Sequence, residues 1–336
     1  MRFSNGLHSG SIWLVVVIVI TATSANVQSK PTPPGQPLAG FGGRDYTFVD
    51  VRVTIYGEGA EAYWILEPRN RSKEPLPVVL FVHGLNLPHY ASYRSWIHHT
   101  VKRGNVVIFP RYQASGLVDP KTFTAEAAKA ARSAVAKCDG LDHAKADPDR
   151  LTMIGHSLGG TIIANLAARP EHFGLPAPGA LMLLQTGDTK ADRGLGALLP
   201  SISEDHSTIA EGTLMLVIDV ENDWIVSPKA GQRILDAAEK VDATDKRRLL
   251  LRSDTHGEPA LIAGHSVPVA WTNQPRRGRG STDAFDYALW RWFDALQALA
   301  DGHDDRRELV FGEAALDLGT WSDGKAVRPP IEPAAK

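Results

Sequence analysis

Cysteine is almost absent from this chain of 336 residues: Cys138 stands alone. No disulfide can close within the chain, and neither a CxxC redox pair nor a cysteine-based zinc site can be built, so stability has to come from a packed core. An excess of one charge is also lacking. There are 36 Lys+Arg against 38 Asp+Glu, a formal net charge of −2, and the basic residues gather only in short clusters such as Arg276, Arg277 and Arg279. Such a surface has no field for collecting polyanions, which argues against a nucleic-acid partner. Long apolar runs are missing too. The stretch Ile12 to Ile20 is unbroken for nine residues, where a membrane-spanning helix needs roughly 20.

What is present is an ordinary globular composition, 43% hydrophobic and 22% charged, with length enough for one large domain to bury about three quarters of its unfolded surface. Arg2, the apolar run and the small residues from Thr21 to Ala25 have the layout of a secretory signal peptide over residues 1–25. The expectation is a secreted or periplasmic protein with no stable membrane insertion after cleavage; anchoring by an uncleaved N-terminal segment is the alternative. Four prolines between Lys30 and Pro37 predict a stiff linker over residues 26–40. The folded domain is expected over 41–310 and a C-terminal tail over 311–336.

Within the domain, strand-like and helix-like stretches alternate. Tyr46 to Ile55 and Ala62 to Leu66 flank Gly57 and Gly59 and predict an antiparallel hairpin. Val78 to Val82, Val106 to Phe109, Leu151 to Ile154, Ala180 to Leu184, Leu214 to Asp219 and Arg247 to Leu251 are short apolar runs, as strands covered on both faces are. Helices are predicted at Ser92 to Arg103, at Thr124 to Lys137 with Thr124 as its cap, at Leu158 to Ala168 and at Ala284 to Leu299. The pattern predicts an α/β fold, a doubly wound and mostly parallel sheet with an N-terminal antiparallel hairpin, because parallel strands need helical crossovers. Residues 186–211 have little periodicity and read as a long loop near the mouth of the site.

The segment that carries chemistry is Gly155-His156-Ser157-Leu158-Gly159-Gly160, between a predicted strand and a predicted helix. That is the setting of a GxSxG nucleophile elbow, where a strained turn lifts the serine hydroxyl above the sheet. Upstream, the strand Val78 to Val82 runs into His83-Gly84-Leu85-Asn86. Acyl transfer builds negative charge on a carbonyl oxygen, and preorganised amides stabilise it; the Leu85 and Leu158 amides are the expected donors. His83 reads as a brace for this turn rather than a base.

The His83-Gly84 turn, the Gly155 to Gly160 elbow and a serine, acid, histidine order resemble the α/β-hydrolase superfamily over Tyr46 to Leu299. With no large cap domain, the chain is most similar to the serine esterases around the dienelactone hydrolases, chlorophyllases and polyester hydrolases. The resemblance implies an α/β-hydrolase fold and a Ser-His-Asp triad. Ser157 would be the nucleophile. For the acid, Asp223 sits where the superfamily's Glu-Asn-Asp stretch places it, with Asp188 and Asp219 as alternatives. For the base, His256 and His265 both follow the last strand; His256, five residues beyond Leu251 and next to Gly257, is favoured, and His265 is the alternative. Trp224, Tyr90, Tyr93 and Trp96 could line a pocket or simply pack.

Together these features predict hydrolysis of carboxylic esters through an acyl-enzyme, with an ester substrate, no cofactor and no metal. Acyl transfer to an alcohol and peptidase activity would use the same triad, and a non-catalytic hydrolase-fold binding protein is the reading from another class. Neither the oligomeric state nor the acyl chain length is encoded in any motif.

Overall fold

The computed structural model describes residues 29–70, 72–113, 119–190, 201–270 and 282–333. The expected signal peptide, the Arg276, Arg277, Arg279 cluster and the middle of the 186–211 segment lie outside the described residues. Among the described residues no helix is long and apolar enough to cross a membrane.

Eight strands form one sheet. β1 (Val51–Tyr56) and β2 (Tyr63–Pro68) are the expected hairpin, paired antiparallel from Val51 opposite Pro68 to Tyr56 opposite Tyr63. Gly57 and Gly59 in the connection have φ of +70° and +59°, backbone that glycine adopts without strain. β2 also pairs antiparallel with β4 (Val106–Pro110), and from there β3 (Leu76–Val82), β5 (Ala146–His156), β6 (Ala180–Leu184), β7 (Leu214–Val220) and β8 (Lys246–Leu251) continue in parallel. The strand order is β1-β2-β4-β3-β5-β6-β7-β8. The chain leaves β3 for one neighbour, β4, and then crosses back to the other, β5. A crevice opens at such a switch, outside the carboxyl ends of β3 and β5.

The helices are α1 (Arg94–Lys102), α2 (Phe123–Cys138), α3 (Leu158–Ala168), the single turn α4 (Pro170–Phe173), α5 (Lys229–Ala237), α6 (Ala284–Ala300) and the single turn α7 (Glu308–Phe311). Two hydrophobic layers result. Val78, Leu80 and Val82 join residues of α2, α3 and α5 on one face, while Val79 and Phe81 join α1 and α6 on the other. Each strand residue thus finds a partner layer, which is why the strands read as unbroken apolar runs. Trp96 ties the second layer together, edge-on to Phe81 at 5.6 Å and to Phe293 at 6.3 Å. Sequence placed Thr124 as the cap of its helix, but α2 begins at Phe123. Thr124 lies inside the first turn, where its hydroxyl accepts from Asn165 Nδ2 at 3.2 Å. Ahead of it, Asp119 caps a 3₁₀ turn over Pro120–Thr122.

The described residues from Pro31 onward belong to one compact unit, so stretches expected to lie outside the domain pack into it. Arg44 N donates to Pro37 O, and Ser322 N donates to Thr32 O. Ile331 pairs with Leu250 in an antiparallel bridge, and Trp321 and Val327 are buried. The tail thereby covers the outer edge of β8, whose backbone groups would otherwise be open to another chain.

Candidate functional site

Strain marks the location of the site. Ser157 stands between the last residue of β5 and the first of α3 with φ +54° and ψ −123°, a conformation costing on the order of 1–3 kcal/mol for a non-glycine residue. Among the described residues the other non-glycine positions with positive φ are Asn86, Tyr112 and Gln185. All four follow the carboxyl ends of β3, β4, β5 and β6, around the switch crevice. Backbone bonds hold the elbow: Ser157 N donates to Leu184 O at 2.8 Å, and Ser157 O accepts from Gly160 N at 2.9 Å and Gly187 N at 3.0 Å. The flanking glycines are required by close approach. A Cβ on Gly155 would lie 2.4 Å from Gly159 O, and one on Gly159 would lie 2.2 Å from Val82 O, so any side chain would push α3 off the sheet.

The turn after β3 lies against the serine, since a Cβ on Gly84 would be 3.1 Å from Ser157 Cβ. Gly84 O accepts from Leu87 N at 3.1 Å and lies 2.6 Å from His83 Nδ1. Because that carbonyl and the Leu85 N–H share one peptide plane, fixing the first aims the second in the opposite direction. Neither the Leu85 nor the Leu158 N–H has a hydrogen bond among the described residues. His83 is fully buried and stacked on Tyr112 at 4.1 Å, with Nε2 2.8 Å from Arg111 O. Burial lowers its pKa to about 4. With its one proton a neutral ring donates to one of these two carbonyls at a time, and wedged between them it is positioned to hold the turn.

A carboxylate and an imidazole meet beside the elbow. Asp223, just beyond β7, accepts from Ile225 N and Val226 N with Oδ1, both at 2.9 Å, and its Oδ2 lies 2.8 Å from His265 Nδ1. Nδ1 therefore carries the proton, and Nε2 is left with the lone pair. That nitrogen has no hydrogen bond among the described residues; neither has Ser157 Oγ, and the serine–imidazole bond is not formed here. Such bonds are commonly long or open without substrate and close in its complex.

Two loops zipped together deliver His265 to this place. Asn222 N donates to Ala263 O at 2.9 Å, Ala263 N donates to Ser253 Oγ at 2.9 Å, and Asn222 and Gly264 form a parallel bridge that prolongs β7. Leu261, Ala263, Val267 and Val269 are buried and anchor the loop from below.

His256, favoured from spacing, does not join this group. Its Nε2 lies 2.7 Å from Asp323 Oδ2, Lys325 Nζ donates to its Nδ1 at 3.3 Å, and its ring packs edge-on to Trp321. Counting residues from the strand misled because the chain between Asp254 and Leu261 closes on itself. Asp254 N donates to Leu261 O and Leu261 N to Asp254 O, so the chain resumes at Leu261 where it left the sheet, and His265 needs only four residues more. Gly257 serves close approach rather than bending: a Cβ there would sit 2.1 Å from Pro31 O.

The alternative acids are also used elsewhere. Asp219 is buried and ion-paired with Arg248 at 2.6 Å; burial raises its pKa to about 6 against the pull of that arginine. Asp188 accepts from Ser201 Oγ and from Ile202 N. Of the aromatics, Trp96 and Tyr93 are buried, while Trp224 is 90% exposed at the tip of the Asp223 turn. Tyr93 does more than pack, because its hydroxyl contacts Gly84 N and His156 Nδ1. Sequence reading missed that role and that of His156. The available signal was a histidine at the end of a strand whose neighbours end in leucine and valine. Among the described residues no group of three or more His, Cys, Asp or Glu side chains could hold a metal ion.

No family model matches this chain, and no curated protein matches it significantly.

Proposed function

We propose that this protein is a serine hydrolase of the α/β-hydrolase type that cleaves carboxylic esters through an acyl-enzyme. The observation that carries the reading is the pairing of a strained turn at Ser157 with an Asp223–His265 pair whose outer imidazole nitrogen is unengaged. Strand order supports the fold assignment, with the serine turn after β5, the acid after β7 and the histidine after β8.

In this mechanism His265 Nε2 takes the Ser157 proton as the hydroxyl attacks the ester carbonyl. Asp223 holds the ring in the tautomer that leaves Nε2 basic and stabilises the imidazolium that forms. The Leu85 and Leu158 amides receive the developing oxyanion, aided by the amino end of α3. His265 then protonates the leaving alcohol, and water repeats the sequence on the acyl-serine. The signal-like N-terminal sequence supports an exported protein.

The test is a fluorophosphonate probe together with a panel of soluble esters. Wild type should be labelled once, at Ser157, and Ser157→Ala should be neither labelled nor active. Labelling at another residue, or ester turnover that survives Ser157→Ala, would sink the assignment.

A further inference from the structure

Behind Ser157 runs a chain of buried hydrogen bonds that the triad itself does not use. Gly84 N donates to Tyr93 Oη at 3.0 Å, Tyr93 Oη lies 2.8 Å from His156 Nδ1, and His156 Nε2 lies 2.9 Å from the His265 carbonyl oxygen. The directions follow from the far end. A carbonyl only accepts, so His156 Nε2 carries the proton; the neutral ring then offers a lone pair at Nδ1, which takes the Tyr93 hydroxyl hydrogen. The phenol oxygen is thereby left to accept from Gly84.

Stability alone does not call for these groups. Tyr93 and His156 are 0% and 1% exposed, and at the level of His156 the neighbouring strand β6 carries Leu184. An apolar side chain packs well at that height. A buried polar chain that satisfies all its members roughly breaks even against apolar packing, and a broken one is costly. What the polar chain adds is direction.

We infer that Tyr93 and His156 are positioning residues that hold the oxyanion turn and the base loop in one frame with the nucleophile; this rests on the serine-hydrolase reading above. His156 is bonded covalently to Ser157, so its ring sits at a fixed offset from the hydroxyl. Through Tyr93 one edge fixes the Gly84 amide, one peptide before the Leu85 N–H. The other edge fixes the His265 carbonyl, while Asp223 fixes the His265 ring. The base residue is pinned at both ends, and its rings stand close, with 4.8 Å between the His156 and His265 centroids. Release of either pin lets Nε2 drift, and a misplacement of about 1 Å can cost on the order of 10²-fold in rate.

The experiment compares Tyr93→Phe, His156→Phe and His156→Gln for kcat and KM on a soluble ester, for the rate of fluorophosphonate labelling, and for thermal unfolding. Tyr93→Phe should lower kcat about tenfold and His156→Phe about a hundredfold, each with KM within about threefold of wild type. His156→Gln should recover part of the loss, because its amide can still donate to the His265 carbonyl. Variants that lose stability but keep wild-type kcat per folded molecule would overturn the inference. Should His156→Phe fail to fold, Tyr93→Phe, which removes a single oxygen, decides: unchanged kcat overturns it. A wild type that neither cleaves esters nor takes the label refutes the hydrolase reading, and this inference falls with it. An active wild type with unaffected variants refutes the inference alone.

Discussion

Among the described residues, four carboxylate–imidazole pairs have nearly the same length and very different surroundings. Asp223–His265, Asp294–His99, Glu67–His143 and Asp323–His256 span 2.8, 3.0, 2.7 and 2.7 Å. In three of them the imidazole's second nitrogen is already engaged. His99 Nδ1 meets the Tyr46 hydroxyl at 3.2 Å, His143 Nε2 meets the Tyr56 hydroxyl at 2.6 Å, and His256 Nδ1 accepts from Lys325. Those are staples. The Glu67 pair fastens β2 to the residues before β5, and the Asp294 pair fastens α1 to α6. Only His265 keeps its outer nitrogen without a hydrogen bond among the described residues. An acid–histidine contact by itself therefore singles out no site; what sets Asp223–His265 apart is an unfilled basic nitrogen beside a strained hydroxyl.

The largest effects should separate the open pair from the closed ones. Ser157→Ala and His265→Ala should each lower ester turnover by on the order of 10⁴-fold or more, and the double variant by little more, because triad members act as a unit. His256→Ala should stay within about threefold of wild type. Steady-state kinetics on the four proteins would decide between the histidines, and a collapse of turnover in His256→Ala with an active His265→Ala would reverse the assignment.

The next contrast lies between the acids. Asp223→Asn keeps an oxygen for the Ile225 and Val226 amides but loses the charge that orients His265, so turnover should fall on the order of 10³-fold with little change in stability. Asp294 accepts from Gly42 N and His99 in a buried site. Asp294→Asn should instead lower stability by about 1–3 kcal/mol and leave kcat per folded molecule unchanged. Urea titrations beside the kinetics would expose either variant behaving like the other.

Which parts of this arrangement were legible in the sequence follows from how local each one is. The elbow is a strand, a turn and a helix within a few residues, and the glycines that permit it adjoin the serine. Asp223 was legible for a similar reason, lying in the short loop that ends β7. His265 depends on the Asp254–Leu261 closure and on Asn222 meeting Ala263, contacts made across loops that no periodicity records. The packing of the C-terminal segment on β8 was hidden in the same way, since Trp321 and Val327 are buried from a stretch without regular pattern. His156 was visible as a letter of the elbow, but its two hydrogen bonds reach residues 63 and 109 positions away.

A third test probes the buried His83 through pH. Burial holds the folded-state pKa of His83 at about 4 against 6.5 for the free side chain. Between those values the unfolded chain binds a proton that the folded chain refuses, so stability is full above pH 6.5 and falls as pH drops toward 4. The shift corresponds to about 3 kcal/mol across the window. Urea unfolding at pH 7, 5.5 and 4.5 should show a shallower acid loss in His83→Gln than in wild type. Parallel curves would mean that His83 is not the group that resists the proton.

The smallest effect concerns the floor of the site. Gly187 is fastened to the elbow at both ends of its residue, its N donating to Ser157 O and its O accepting from Thr161 Oγ1 at 2.7 Å. A Cβ there would meet Val226 Cγ1 at 2.8 Å, Ser157 Oγ at 3.5 Å and Leu158 N at 3.7 Å. The valine methyl can turn aside, so the fold should tolerate Gly187→Ala. The oxyanion, however, must come within about 3 Å of the Leu158 amide, and the new methyl group would crowd that space. A loss in kcat of about tenfold is expected, which is roughly 1.4 kcal/mol. Adding Val226→Ala should relieve the methyl contact and restore stability without restoring kcat. Recovery of both together would place the obstruction at Val226 and leave the oxyanion site clear of Gly187.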